Sequence, residues 1–252
     1  TVIAQDLKRY YSLGIRKINS LDFGAYSWYA YDINFAVFAR LAWDVEADVE
    51  SVFRQVIAEA YPIHTTEMEK YYREAEQTSG LWLSFCGYTA IFDIRDCYTT
   101  KGHEAFYRHH AALVEQALEQ TDHLIHVLTL LLQDAMGQEA LRLQVEKDVQ
   151  TVTREELQAV HHRLQGILAY QLDKEYIAAE AHIKKTLQHK QREADWVRAF
   201  PPTIAGCSGY GENSILIRHN CFDQSDWTRA HLKRIEKERV HGNVDNELQW
   251  NA

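Results

Sequence analysis

The chain has 252 residues, of which 46% are apolar and 25% are charged, as is usual for a folded globular protein. It contains 36 acidic and 27 basic residues, which gives a formal net charge of −9. This charge disfavours nucleic acid or an anionic membrane as a partner, because phosphate groups are bound by basic surfaces. No apolar run reaches the roughly 18–20 residues that span a bilayer.

The cysteines are too few and too widely spaced for a disulfide scaffold. They are Cys86, Cys97, Cys207 and Cys221. None forms a Cys-x-x-Cys pair, which argues against a zinc knuckle or a thioredoxin-type site. We therefore expect free, mostly buried thiols.

The N-terminal segment has the order of elements that is typical of a parallel α/β sheet. Apolar side chains recur there at helical spacing, at Ile3, Leu7, Tyr10 and Tyr11. Gly14 is suited to the left-handed turn that ends a helix. The following residues, Ile15–Phe23, predict a short strand, and Gly24 ends it.

This predicted strand has no neighbour nearby in the sequence. The next comparable segment, Ile215–Arg218, comes about 190 residues later. A (β/α)₈ barrel needs about 250 residues and eight such units, and a parallel strand must pair with others. The chain starts at Thr1 and contains Met only at positions 68 and 136. Either the segment packs as an irregular cap, or its partner strands lie in an upstream barrel of the same protein, and we expect the second.

The remainder of the sequence is mainly helical. The pattern predicts an α-helical domain of about five or six helices at 34–200, after a final αβ element of a barrel with an aromatic loop at 1–33. A loop-rich tail with a short helix follows at 201–252. Two capping-box patterns, Thr66–Glu69 and Thr153–Glu156, each predict a helix start.

The apolar stripes set the expected helix lengths. A regular stripe between Val49 and Ala60 ends before Tyr61-Pro62. A long helix is expected at about Glu104–Leu132 and a shorter one around Leu141–Val149. A further helix is predicted to run from Thr153 to about His189.

An aromatic cluster follows the predicted strand and forms a candidate sugar-binding wall. Its members are Asp22, Tyr26, Trp28, Tyr29 and Tyr31. Barrel enzymes bind substrates in the loops after their strands, and sugar C–H faces stack on aromatic rings. The alternative is that these rings only pack the strand against the next helix.

The thirteen histidines do not predict a metal centre. The neighbouring pairs His109-His110 and His161-His162 point about 100° apart on a helix. His123 and His126 share a face, but paired Glu-x-x-His motifs are missing. Nucleophile-elbow and Walker motifs are also missing. We expect no metal and no cofactor, and the catalytic carboxylates cannot be chosen among 36 acidic residues.

Residues 3–72 carry a pattern that resembles a known family. The pattern comprises Asp6-Leu7, Leu13-Gly14-Ile15, Phe23-Gly24, Ser27-Trp28, Asn34, Ala39-Arg40, Leu41-Ala42-Trp43-Asp44 and Ala47-Asp48-Val49. It is similar to large bacterial glycoside-hydrolase-like proteins with a conserved domain of unknown function, which resemble α-glucuronidases and β-hexosaminidases. Tyr61-Pro62 departs from this pattern, since the family tends to have Tyr-Gly.

The resemblance implies a fold and a function. This chain would comprise the last barrel strand and the C-terminal helical domain, and residues 23–28 would line the sugar pocket. The catalytic carboxylates would lie on earlier strands, so the chain alone would be inactive. Two other functions are open, a non-enzymatic helical binding or scaffold module and a metal-dependent bundle enzyme that uses His123 and His126.

Overall fold

The computed structural model describes residues 2–17, 32–83, 104–199 and 224–241. Across these ranges every regular element is helical. The helices are α1 (Val2–Ser12), α2 (Asp32–Trp43), α3 (Val49–Ala60), α4 (Thr65–Leu83), α5 (Glu104–Leu131), α6 (Gly137–Leu168), α7 (Tyr176–Ala199) and α8 (Gln224–His241). A π-helical turn, Ala169–Asp173, follows α6. The predicted mainly α class is confirmed, and the described parts of residues 32–199 contain six helices.

The predicted βα remnant is not seen in the part of the chain that the structure describes. Of the expected strand, residues 15–17 have no regular secondary structure, and residues 18–23 lie outside the described ranges. The remnant therefore stays a prediction, as does the division into segments 1–33, 34–200 and 201–252.

Helix α1 ends as its sequence predicts. Gly14 has a φ of 82°, in the left-handed region. The Ile15 N–H donates to the Tyr10 carbonyl and the Gly14 N–H to the Tyr11 carbonyl, each at 3.0 Å. This pair of bonds is a Schellman motif, which satisfies carbonyls at the end of a helix. Leu7 is buried, whereas Tyr10 and Tyr11 are exposed.

Helix α3 covers the predicted apolar stripe, and a short connection joins it to α2. Helix α2 ends at Trp43, and Asp48 caps α3 by accepting a 2.8 Å hydrogen bond from the Ser51 N–H. The Ser51 side chain and this backbone hydrogen bond together lower the pKa of Asp48. Helix α3 ends at Ala60, before Pro62, because proline cannot continue the backbone ladder.

The helix start that Thr66–Glu69 predicts is confirmed to within one residue, although Thr66 is not the cap, whereas the start predicted at Thr153 is wrong. Helix α4 begins at Thr65, so Thr66 lies inside its first turn. Thr153 lies in the middle of α6, which runs unbroken from Gly137 to Leu168. A cap requires non-helical backbone, and no glycine or proline interrupts the helix there.

The chain does not leave the helical conformation between Val149 and Thr153, where one predicted helix ends and the next begins. It does so after α6 instead. The expected helix from Thr153 to His189 is divided by the π turn, and Lys174 then takes a φ of 56°. The Lys174 and Glu175 N–H groups both donate to the Ala169 carbonyl. A non-glycine residue in this region is uncommon, and neither proline nor glycine marks it in the sequence.

The described residues fall into two compact units. The first comprises the described parts of Thr1–Glu74 and Ile125–Val149, and the second those of Ala75–Leu124, Gln150–Phe200 and Gly209–Ala252. Helices α4, α5 and α6 contribute residues to both units.

In the first unit, α2 packs against α3 and contacts α1. Its buried apolar side chains are mostly on these helices and on α4, at Leu7, Ile33, Val37, Leu41, Val52, Val56, Ile57, Met68 and Tyr71. The stripe predicted between Val49 and Ala60 thus supplies one face of this core, as an amphipathic helix should.

In the second unit, one apolar cluster joins α5 and α6, with Tyr107, Ala111, Val114, Ala117, Leu118, Leu157, Val160, Leu164, Ile167 and Leu168. A smaller cluster joins the π turn, α7 and α8 through Tyr170, Ile183 and Ile235. Helix α8 lies in the C-terminal segment for which a short helix is predicted, and its Ile235 is fully buried.

Among the helices that the structure describes, none is long and apolar enough to cross a membrane.

Candidate functional site

The predicted sugar wall cannot be placed. Asp22, Tyr26, Trp28, Tyr29 and Tyr31 all lie outside the described residues. The structure describes the flanking parts of the family pattern. Helix α1 and its Schellman motif precede the wall, and helices α2 and α3 follow it. The wall therefore stays a prediction.

The segment Leu41–Val49, the most specific part of the family resemblance, is a tight helix–helix connection. Leu41 is 1% exposed and fixes α2 in the core, whereas Trp43 is 94% exposed. Asp44 turns the chain, since its carboxylate accepts from the Glu46 N–H at 3.1 Å and its carbonyl from the Ala47 N–H at 3.2 Å. Asp48 then caps α3.

A buried carboxylate in the first unit ties the start of α4 to the start of α6. Glu139 is 3% exposed and accepts from the backbone N–H groups of Ile63 and His64 at 2.8 and 2.9 Å. The His64 ring contacts Glu139 through Nδ1 at 2.7 Å and Asp134 through Nε2 at 3.0 Å. We call Glu139, His64 and Asp134 the acid–histidine clamp.

Charge explains the composition of this clamp. Free N–H groups before a helix attract a carboxylate, and an ionised acceptor makes stronger hydrogen bonds than a neutral one. Burial opposes a proton on His64, but the hydrogen bonds with Glu139 and Asp134 outweigh it, so the pKa of His64 is raised. No local sequence pattern indicates this clamp, because Glu139 lies 75 residues from His64.

The clamp predicts a definite pH dependence. Because the folded-state pKa of His64 is raised, its stabilising effect is complete below the unfolded value of about 6.5. That effect is lost as the pH rises through the folded pKa. We expect His64→Asn to cost more stability at pH 6 than at pH 8.5, as measured by urea unfolding of both proteins at each pH. A cost that is equal at the two pH values, or larger at pH 8.5, would contradict the clamp.

A tyrosine cluster lies in the same unit beside a second buried carboxylate. Tyr71 and Tyr72 donate to the two oxygens of Glu146, at 3.1 and 2.6 Å, and the Tyr61 and Tyr72 hydroxyls are 3.0 Å apart. Glu146 is 5% exposed. Hydroxyl donors of this kind compensate a carboxylate for its lost hydration.

The second unit contains a buried ionic cluster between α6 and α7. The Lys190 side chain is fully buried and contacts the carboxylates of Glu156 on α6 and Glu193 on α7, the latter at 3.0 Å. Burial and the negative charge of Glu156 raise the pKa of Glu193 to about 8. Despite burial, the Lys190 charge lowers the pKa of Glu156, and the Glu156 charge raises that of Lys190. At neutral pH the cluster is thus an ion pair with a protonated neighbour.

Histidines from the same two helices meet beside this cluster. His162 on α6 and His182 on α7 have their Nδ1 atoms 3.2 Å apart, and the ring of His189 stacks on His162 with a centroid distance of 5.5 Å. Glu155 contacts His189 Nδ1 at 2.7 Å. We call His162, His182 and His189 the histidine seam. Sequence spacing missed it because its members lie on two helices.

The other histidines that the sequence analysis weighed are arranged differently. The rings of the neighbouring pairs His109-His110 and His161-His162 are T-shaped, edge to face, each with centroids 5.2 Å apart. Within the described ranges, no three His, Cys, Asp or Glu side chains are arranged to hold a metal ion.

No protein-family profile, curated protein or solved structure matches this chain.

Proposed function

We propose that the chain is the helical C-terminal portion of a larger, carbohydrate-active, glycoside-hydrolase-like protein. In this role it supports the barrel and contributes an aromatic wall to the sugar site. The observation that carries the proposal is the residue pattern from Asp6 to Val49, above all Leu41-Ala42-Trp43-Asp44 followed by Ala47-Asp48-Val49.

The boundaries of the described helices support this proposal. Parts of the pattern coincide with helix boundaries, at Gly14, Trp43 and Asp48. Residues at helix ends determine where successive helices begin and end. A pattern that contains them therefore fits the helical region that the resemblance implies. The sugar chemistry rests on the aromatic cluster alone.

The proposed wall would work by stacking. Trp28 and the nearby tyrosines offer flat apolar faces to sugar C–H groups, and Asp22 offers a carboxylate to a hydroxyl. Cleavage would need a general acid and a second carboxylate, which we assign to the barrel. The isolated chain should therefore bind oligosaccharides weakly and hydrolyse none.

Binding and turnover test this proposal together. We expect calorimetric titration with gluco-, xylo- and chito-oligosaccharides to detect weak binding of one class. Stacking on one aromatic ring contributes about 0.5–1.5 kcal/mol, so Trp28→Ala should lower the affinity about 2- to 12-fold. Trp196→Ala is the matched control, because Trp196 is an exposed tryptophan on α7. Equal losses in both variants, or hydrolysis of aryl glycosides by the chain, would refute the proposal.

The second candidate is a non-enzymatic helical binding or scaffold module. It is favoured by large apolar side chains that are exposed on the described helices and turns, at Trp43, Met136, Ile177 and Val240. Its polar clusters would then serve stability alone. The absence of any oligosaccharide binding, with intact folding, would favour this candidate.

A further inference from the structure

We propose that the contact between α6 and α7 is an acid-sensitive switch, in which protonation of the histidine seam separates the two helices. This inference is independent of the proposed function, because it concerns residues 155–193 and requires no sugar site.

The hydrogen bond at the centre of the seam limits how many protons it can hold. The Nδ1 atoms of His162 and His182 are 3.2 Å apart. Such a bond needs one ring nitrogen that donates and one that accepts, and an imidazolium has two N–H donors and no acceptor. The pair therefore accommodates one added proton at most. A second proton turns two N–H groups toward each other.

The surrounding rings add to this penalty. His189 stacks on His162, and the His161 ring meets the His162 ring edge to face with a centroid distance of 5.2 Å. Four imidazoles therefore lie close together on two helices. Each further proton adds like charge at short range, which destabilises the closed contact.

The neighbouring charges do not offset this effect. The carboxylate that binds a seam ring among the described residues is Glu155, on His189, and it also faces Arg154 and Arg192 at 3.9 and 3.7 Å. The other charged groups that face the seam or its two helices are Glu115 on α5, Glu156 and Arg163 on α6, Glu180, Lys184, Lys185, Lys190 and Glu193 on α7, and Glu236 and Arg239 on α8. Of these, Lys185 opposes a proton on His162 and His182 directly.

The direction of the pH effect follows from these contacts. Burial lowers the pKa of His162 to about 4, with help from the charges of His161, His182, His189 and Lys185. Burial also lowers the pKa of His182. A group with a depressed histidine pKa binds protons better once the contact opens. The seam is therefore stable above about pH 6.5 and weakens as the pH falls toward 4.

The backbone brings α6 and α7 close together at Gly166 and is irregular in the connection between them. A Cβ atom at Gly166 would lie 2.8 Å from Ile183 Cδ1 and 3.4 Å from His182 Cβ, so the helices approach closely beside the seam. The connection between the helices contains the π turn and the left-handed Lys174, the type of irregular backbone at which helices reorient.

Residue-resolved hydrogen exchange tests this switch. After correction for intrinsic rates, we expect amide protection in residues 157–168 and 179–190 to fall at least tenfold between pH 7 and pH 5. In the double variant His162→Gln/His182→Gln this loss should be at least threefold smaller. His126→Gln is the matched control, because His126 is an exposed histidine outside the seam, and it should behave as the unmodified chain does.

Other outcomes would overturn the proposal. Unchanged protection in the unmodified chain at pH 5, or an equal loss in the double variant, would show that the seam histidines do not control the contact. If the double variant does not fold, the ring C–H signals of His162 in the unmodified chain decide the matter. A midpoint at or above pH 6.5 would refute the proposal, and one well below that value would support it.

Discussion

Replacing Lys190 with Met will destabilise the second unit by about 3–5 kcal/mol. This range is typical when one partner of a buried ion pair is removed and the other charge remains. The Lys190 side chain is fully buried between Glu156 and Glu193, and Met fills a similar volume without a charge. Urea unfolding at pH 7, followed by far-UV circular dichroism, measures the loss.

The pH dependence of the Lys190→Met variant separates charge from packing. Without the lysine, the pKa of Glu156 in the folded state should rise above its unfolded value. The variant should then lose further stability as the pH rises from 5 to 8. Lys237→Met on α8 is the matched control, because Lys237 is exposed. A loss below 1 kcal/mol, or one that does not depend on pH, would contradict the ionic cluster.

A double variant tests the same cluster by compensation. Lys190→Met together with Glu156→Met removes both charges of the pair and leaves Glu193 to stay protonated. Apolar replacements of buried ion pairs are often neutral or stabilising. We therefore expect the double variant to be more stable than Lys190→Met alone.

Replacing Glu139 with Ala will destabilise the first unit by about 2–4 kcal/mol. Each buried donor that loses its acceptor costs about 1–3 kcal/mol, and Glu139 accepts from two backbone N–H groups and faces the His64 ring. Water reaches Ile63, which is half exposed, so the costs should not add fully. Urea unfolding provides the measurement.

Two further variants show whether the clamp acts through charge. Glu139→Gln keeps one acceptor oxygen and should lose less than Glu139→Ala. Glu46→Ala is the matched control, because Glu46 is an exposed glutamate in the same unit. An effect at Glu139 no greater than that at Glu46 would show that the clamp contributes nothing to stability.

Much of the helical architecture follows from local sequence. Gly14, Pro62 and the stripe from Val49 to Ala60 set helix ends and faces because their effects act within a few residues. The helix start predicted at Thr153 is wrong because a capping box is also a purely local pattern. Thr153–Glu156 has the residues of a cap, but the local pattern does not record that the flanking backbone continues as helix.

The polar clusters depend on contacts between distant residues. His64 and Glu139, Tyr72 and Glu146, and Glu156 and Lys190 are each separated by more than 30 residues. No spacing rule connects such pairs without knowledge of how the helices pack. The turn at Lys174 was equally inaccessible, since lysine has no local preference for a positive φ.

The sugar wall is the part of the account that sequence alone supports, and nuclear magnetic resonance tests it most directly. The chain has six tryptophans, and each gives one indole N–H signal that a Trp→Phe variant assigns. On titration with the oligosaccharide class that binds, we predict a saturable shift of the Trp28 signal and none for the exposed Trp43 and Trp196. Saturable shifts at Trp43 or Trp196 without Trp28, or no shift at any tryptophan, would contradict the proposed function.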